Sequence, residues 1–296
     1  MGKRRKKVSH KHKKKRRKFS FDAGTISKTD LDELNLLYIQ LNVVMVLIYS
    51  DLMYYFALIA AYNEITNKNE NKKEVFEGDK LMVSFSMSGL WVYIYITLIN
   101  LTRYHNLRIR KAAGEVRFSL VPNLFLIVGG LLEVVVYSYF YRGSNEFLKR
   151  DIDGFSFINE NDIDEVIGLL SIRKNTIIVR FYADYLFFRT TIEGIIVVIS
   201  RYNTQLKESG IPNPDISALN SQFLYTISRV IIAKATVKHL IIVSNNINKD
   251  FRYNEFMAGE VSVVCGNYYG IISNIFLFIG FYKIYERNII QPVFGG

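Results

Sequence analysis

An all-α, polytopic transmembrane helical bundle is the fold class this sequence predicts, with four firm spans and two further candidate helices. Three observations predict it. Leu81–Thr102 and Val261–Tyr282 each run for 22 residues without a charged side chain. At a rise of about 1.5 Å per residue, such a stretch reaches roughly 33 Å, enough to cross a hydrocarbon core about 30 Å thick. Apolar runs of comparable length recur at 34–63 and 118–141, each interrupted by a single acid. Third, the positive charge is concentrated in the first 18 residues, a flank of the kind that sets orientation in a membrane. Composition decides nothing by itself, because a chain that is 50% hydrophobic also suits a soluble domain. The clustering into uncharged runs decides it.

The first element is a basic tail. Residues 1–18 hold 12 Lys and Arg side chains and no acid, whereas the rest of the chain holds 26 basic and 27 acidic residues. The net charge of +11 is therefore a property of the tail. Such a block repels itself and cannot bury a core. Residues 1–33 are thus expected to form a disordered tail and polar linker ahead of a helical membrane domain over 34–296. This leader is too long for a cleaved signal peptide, so the first span reads as an uncleaved anchor. Ser27 with Asp30, or Thr29 with Asp32, matches a capping box and marks a helix start.

Leu34–Asn63 is the first span, broken only by Asp51. Its 30 residues reach roughly 45 Å, so part of it must tilt or protrude. Residues 64–80 read as a polar loop. The second span, Leu81–Thr102, carries Ser84, Ser88 and Gly89, a small-residue patch suited to helix contact. Arg103, Arg108, Arg110, Lys111 and Arg117 follow, against a single Glu115. The third span, Phe118–Tyr141, contains Pro122 and Glu133. Residues 142–175 read as an acid-rich loop. Asp151-Ile152-Asp153-Gly154 there resembles the start of a calcium loop but lacks the ligand spacing and the closing Glu. The final span, Val261–Tyr282, carries the helix-packing spacing Gly266-x-x-x-Gly270.

Two segments between the third and last spans are ambiguous. Thr176–Ser200 carries Arg180, Asp184, Arg189 and Glu193; Phe223–Ser244 carries Arg229, Lys234 and Lys238. A central charge costs about 3 kcal/mol on insertion and an aliphatic side chain returns about 0.5 kcal/mol. Four charges against about a dozen apolar residues leave the first segment short by several kcal/mol. Neither segment should insert alone. Arg180/Asp184 and Arg189/Glu193 have i,i+4 spacing and can offset each other, while Glu133 and Asp51 offer partners to the basic groups of the second segment. A hairpin packed at the membrane edge or outside it is slightly favoured over two full crossings.

The candidate functional residues fall into two sets. Lys3, Arg4, Arg5, Lys6, Lys7, Lys11, Lys13, Lys14, Lys15, Arg16, Arg17 and Lys18 form a polybasic cluster suited to anionic lipid headgroups, or to nucleic acid through counterion release. Asp51, Glu133, Arg180, Asp184, Arg189 and Glu193 are intramembrane charge candidates, for an ion path or for helix pairing. Gly266 and Gly270 are packing candidates, for a neighbouring helix, a protein partner or a second copy. His105 and His239, the only histidines outside the tail, would pair on a haem or metal only if the fold joined them. Cys265 is the one cysteine, which excludes a disulfide within the chain. Phosphate-loop, nucleophile-elbow and zinc-helix patterns are missing, so no cofactor, metal or catalytic residue is assigned.

The leading expectation is a non-enzymatic component of the plasma membrane that anchors or assembles partners, with both termini cytoplasmic. The alternative is a channel or secondary transporter that uses the intramembrane charges. A membrane-embedded enzyme is third.

Overall fold

The computed structural model describes residues 26–66, 72–152, 160–203, 210, 212–247 and 253–290. The polybasic cluster of residues 3–18 and the disorder expected there lie outside the described residues.

Six long helices make up the described chain: α1 (Lys28–Thr66), α2 (Lys72–Ala112), α3 (Val121–Ile152), α4 (Ile163–Ser200), α5 (Pro214–Ile247) and α6 (Tyr253–Ile290). A short 3-10 turn, Glu160–Asp162, leads into α4. Among the described residues there is no strand. Helices α1, α2, α3 and α6 are long and apolar enough to cross a membrane.

Every helix overshoots its apolar window. Hydropathy marks only the part that suits hydrocarbon, whereas a helix continues for as long as its residues tolerate it. Most of the loop expected over 142–175 is helical instead: α3 continues to Ile152 and α4 begins at Ile163. The start of the calcium-like stretch, Asp151 and Ile152, belongs to the end of α3, and its remainder lies outside the described residues. The basic stretch from Arg103 is likewise three further turns of α2, not a loop. Glycine stops it: Gly114 adopts φ 77°, Gly114 N–H donates to the Lys111 carbonyl at 3.1 Å, and Glu115 N–H reaches the Arg110 carbonyl at 3.0 Å. This double closure needs a left-handed residue that glycine supplies without strain.

The start of α1 follows the expected cap. Asp30 N–H donates to Ser27 Oγ at 3.1 Å. The reciprocal bond is indirect: Ser27 N–H donates to Tyr202 Oη at 3.0 Å, and that hydroxyl donates to Asp30. The cap thereby ties the start of α1 to the end of α4.

The helices pack as a closed ring in the order α1, α2, α3, α6, α5, α4 and back to α1. The chain alternates direction, so the start of α1, the end of α2, the start of α3, the end of α4, the start of α5 and the end of α6 share one end. That end is called proximal here, and the opposite end distal. Helices α4 and α5 are full members of the ring, between α1 and α6, and run its whole length.

Close helix approach depends on glycine. A Cβ on Gly89 would meet the Tyr137 ring at 1.9 Å. Gly266 sits against Phe140 of α3, and Gly270 against the Arg229 side chain of α5. The two glycines therefore wedge α6 between two neighbours within this chain. Cys265 is half-buried on α6.

The interior is uneven. Its apolar core, with Leu58, Phe85, Phe140, Leu169 and Ile242, fills the distal half, and Tyr54 stacks on Phe85 at 4.7 Å. The proximal half encloses a cavity beside a smaller apolar cluster of Leu34, Leu37 and Val198.

Candidate functional site

A cavity of about 460 Å³ opens from the proximal end, and all six helices line it. Gln40, Tyr93, Leu126, Thr190, Gln222 and Leu277 represent α1 to α6 in turn. At its rim, polar bonds link neighbours in the ring. Arg103 of α2 pairs with Glu33 of α1 at 2.9 Å and donates to Gln40 Oε1 at 2.8 Å. Arg201, just past α4, pairs with Asp30 of α1. Arg287 of α6 donates to Asn123 Oδ1 of α3 at 3.1 Å, and Asn288 donates to Asp215 of α5 at 2.7 Å.

The floor of the cavity is aromatic. Tyr93 and Tyr225 reach it from opposite sides of the ring. Beneath them, near the middle of every helix, lies a buried layer of charge. Arg180 of α4 is 2% exposed and clasps Asp51 of α1, which is fully buried, in a fork of 2.8 and 2.9 Å. Its Nη2 also donates to Tyr137 Oη of α3 at 3.3 Å. Arg229 of α5 pairs with the fully buried Glu133 of α3 at 3.1 Å. Asp184 of α4 accepts a hydrogen bond from the Tyr225 hydroxyl. Charges this dry are tolerated only when paired or hydrogen-bonded.

The structure brings four of the six intramembrane candidates, Asp51, Glu133, Arg180 and Asp184, into this layer. One expected pairing is replaced. Arg180 and Asp184 share a helix face, but Arg180 forms its ion pair with Asp51. The planar guanidinium fork is matched by both oxygens of a facing carboxylate, which an i,i+4 neighbour does not present in the same plane. Arg189 and Glu193 do pair along α4, at 2.7 Å, and lie outside the central layer. Glu193 also accepts from Ser217 Oγ of α5 at 2.8 Å.

Several site residues carried no sequence signal. Tyr93, Tyr137 and Tyr225 are three of 20 tyrosines. Gln222 meets Asn274 Oδ1 at 2.8 Å and Gln40 meets Thr191 Oγ1 at 3.0 Å, both across helix interfaces. Arg229 stands out in the sequence only as one of three basic residues in an apolar run, for which Glu133 and Asp51 are both offered as partners.

His105, in the proximal part of α2, and His239, in the distal part of α5, are far apart along the bundle and share no site. His239 instead faces Glu260 Oε2 at 3.2 Å, and Glu260 is also reached by Arg150 at 3.4 Å. Among the described residues no group of three or more His, Cys, Asp or Glu could hold a metal.

Compared with known proteins, the chain matches no family model, no curated protein and no solved structure.

Proposed function

We propose that the protein is a channel or secondary transporter whose proximal cavity receives a small polar solute or ion. One observation carries this reading: the ring encloses a cavity from the proximal end down to its middle, with charged and amide side chains at the rim above a largely apolar wall, and is packed beyond it. That is the shape of a pathway open to one side. A bundle that served only as an anchor would gain nothing from a half-empty interior, since tight packing is what stabilises helices in lipid.

Two further assignments belong to this reading. First, α4 and α5 cross the membrane with the other four helices. Of the four charges in the Thr176–Ser200 part of α4, Arg180, Asp184 and Glu193 are buried inward, while Ile178, Tyr182, Tyr185 and Ile192 are exposed on the outer face. Burial and pairing inside the ring remove most of the insertion penalty that the segment carries alone. Lys234 and Lys238 lie on the outer face of α5 toward its distal end, where long side chains reach an interface. Second, the proximal end is cytoplasmic. The 12 basic residues of the tail precede the start of α1 in sequence, the Arg103–Arg117 stretch lies at that same end, and basic flanks resist translocation. The plasma membrane is the site this orientation suits.

The test is chemical access. In a Cys265→Ser background, the Ile96→Cys variant places a thiol on the cavity wall one turn from Tyr93. The Leu98→Cys variant places one on the outer face, where Leu98 is 51% exposed. A charged, water-soluble thiol reagent applied from the proximal side should modify position 96 and spare position 98. Modification at 96 should then block any ion or solute flux that reconstituted vesicles show above protein-free controls. Equal inertness at both positions sinks the reading.

A second reading concerns the tail. Twelve basic residues among 18, with no acid, favour attachment to anionic headgroups at about 1 kcal/mol per side chain near the surface. A peptide of residues 1–18 should bind anionic vesicles, release them as salt rises, and prefer them to duplex DNA in direct competition. Absence of vesicle binding near physiological salt removes the lipid role, and preference for DNA replaces it with nucleic acid. Anchoring of protein partners would rest on the same segment.

A further inference from the structure

The central layer holds three carboxyl groups, Asp51, Glu133 and Asp184, against two guanidinium groups, Arg180 and Arg229. Asp51 faces Arg180 through two bonds of 2.8 and 2.9 Å, and Glu133 faces Arg229 at 3.1 Å. Asp184 has no such partner. It is 1% exposed, and its Oδ1 accepts from the Tyr225 hydroxyl. Its Oδ2 is buried without a hydrogen-bond partner among the described residues. Asp51 lies close enough to interact with it. Two carboxylates cannot donate to one another, so as ions they leave an acceptor facing like charge in a dry place. One added proton supplies the missing donor and brings the layer to equal numbers of positive and negative groups.

Asp51 of α1, Arg180 on α4 itself and Tyr225 of α5 act on Asp184 directly, and Tyr93 of α2, Tyr137 and Glu133 of α3 and Arg229 of α5 share its buried layer. The same tyrosine that bonds Asp184 also lines the cavity. Tyr225 thus stands between a cavity open to the proximal side and an acid that is sealed from it.

We propose that Asp184 is a proton-binding site, and that the Tyr225 hydroxyl exchanges its proton with the cavity. The step balances without any other reactant. A hydronium ion in the cavity gives a proton to the tyrosine oxygen while the tyrosine passes its own hydroxyl proton to Asp184. The hydronium becomes water, the tyrosine ends as a hydroxyl again, and Asp184 becomes neutral. The reverse step returns the proton. This inference rests on the cavity assigned above, and it makes the proton the ion whose binding changes the charge of the middle layer, and so the ion that drives or gates a solute.

Infrared difference spectroscopy of the full chain in lipid, switched between acidic and alkaline buffer, reads this directly. The wild type should show a carboxylic-acid carbonyl band that appears on acidification. Asp184→Asn should lose it, and Glu133→Gln should keep it. Tyr225→Phe removes one oxygen from an otherwise intact ring. It should shift the band, which assigns it to Asp184 even if Asp184→Asn fails to fold, and should slow its hydrogen–deuterium exchange at least tenfold. No protonated acid at any pH in the folded wild type, or a band that survives Asp184→Asn, overturns the site. An exchange rate unchanged in Tyr225→Phe overturns the tyrosine relay. Labelling at position 96 of the Ile96→Cys variant separates the two failures: a reactive thiol with no acid band leaves the cavity standing and removes only the proton.

Discussion

At the scale of single residues, the molecule contains two kinds of ion pair that should behave differently. Arg180 and Asp51 are dry, at 3% and 0% side-chain exposure, whereas Arg103 and Glu33 at the cavity rim are 23% and 30% exposed. Asp51→Asn removes the forked partner of Arg180 and leaves only Asp184, one turn along α4, near that guanidinium, so it should lower stability by up to about 3–5 kcal/mol. Asp51→Asn combined with Arg180→Gln should recover part of that loss, because no uncompensated charge remains. Glu33→Gln should cost under about 1 kcal/mol. Unfolding in detergent, followed for all four proteins, checks the ranking. An Asp51→Asn protein as stable as Glu33→Gln would mean that water, not Asp51, meets the charge of Arg180. Asp51 and Glu133 were legible because each is the only charge in a long uncharged run. Tyr225 was not, because a neutral phenol in an aromatic-rich chain looks like any other apolar ring until its hydroxyl is seen on a carboxylate.

At the scale of elements, helix contact is set by where side chains are missing. Gly89 admits the Tyr137 ring of α3, whereas nothing lies within 4 Å of a Cβ built on Gly168 of α4. Gly89→Ala should therefore force α2 from α3 or displace Tyr137, at a cost of about 1–3 kcal/mol. Gly168→Ala should stabilise by about 0.5–1 kcal/mol, since alanine restricts the unfolded chain and favours helix. Thermal unfolding of the two variants should move in opposite directions, and a shared direction would show that the α2–α3 approach is looser than described. The six helix cores could be found in the sequence, and the start of α1 from its cap, but most other ends could not. Apolar patterning stops at the membrane boundary, while the backbone hydrogen bonds of Arg103–Ala112 and Arg142–Ile152 continue past it.

For the whole molecule, the open matter is how many times the chain crosses. Single cysteines at Arg110, Asn203 and Asn245, in a Cys265→Ser background, distinguish the arrangements. With six crossings and a cytoplasmic proximal end, Arg110→Cys and Asn203→Cys should resist an impermeant reagent in intact cells, and Asn245→Cys should react. Labelling of both Asn203→Cys and Asn245→Cys would mean that α4 and α5 stay outside the bilayer, and labelling of Arg110→Cys would invert the orientation. Insertion arithmetic treats each segment as alone in lipid. The ring changes the sum because Arg180 meets Asp51 from α1, and Arg229 meets Glu133 from α3, inside protein.

By itself the sequence determined that this chain is helical and lives in a membrane, because that depends on local quantities: the length of an apolar run, the charge within it, and the position of a cap or a glycine. It also marked Asp51 and Glu133 as expensive and therefore purposeful. Only the tertiary structure decided which charges pair, that α4 and α5 belong to the ring, that the proximal half encloses a cavity, and that Asp184 is the acid without a cation. Those outcomes depend on residues 24 to 171 positions apart meeting between helices. No pattern within a single helix specifies its neighbours, because many helix faces are apolar enough to pack. The choice among them is made by the joint fit of glycine gaps, aromatic rings and buried charge.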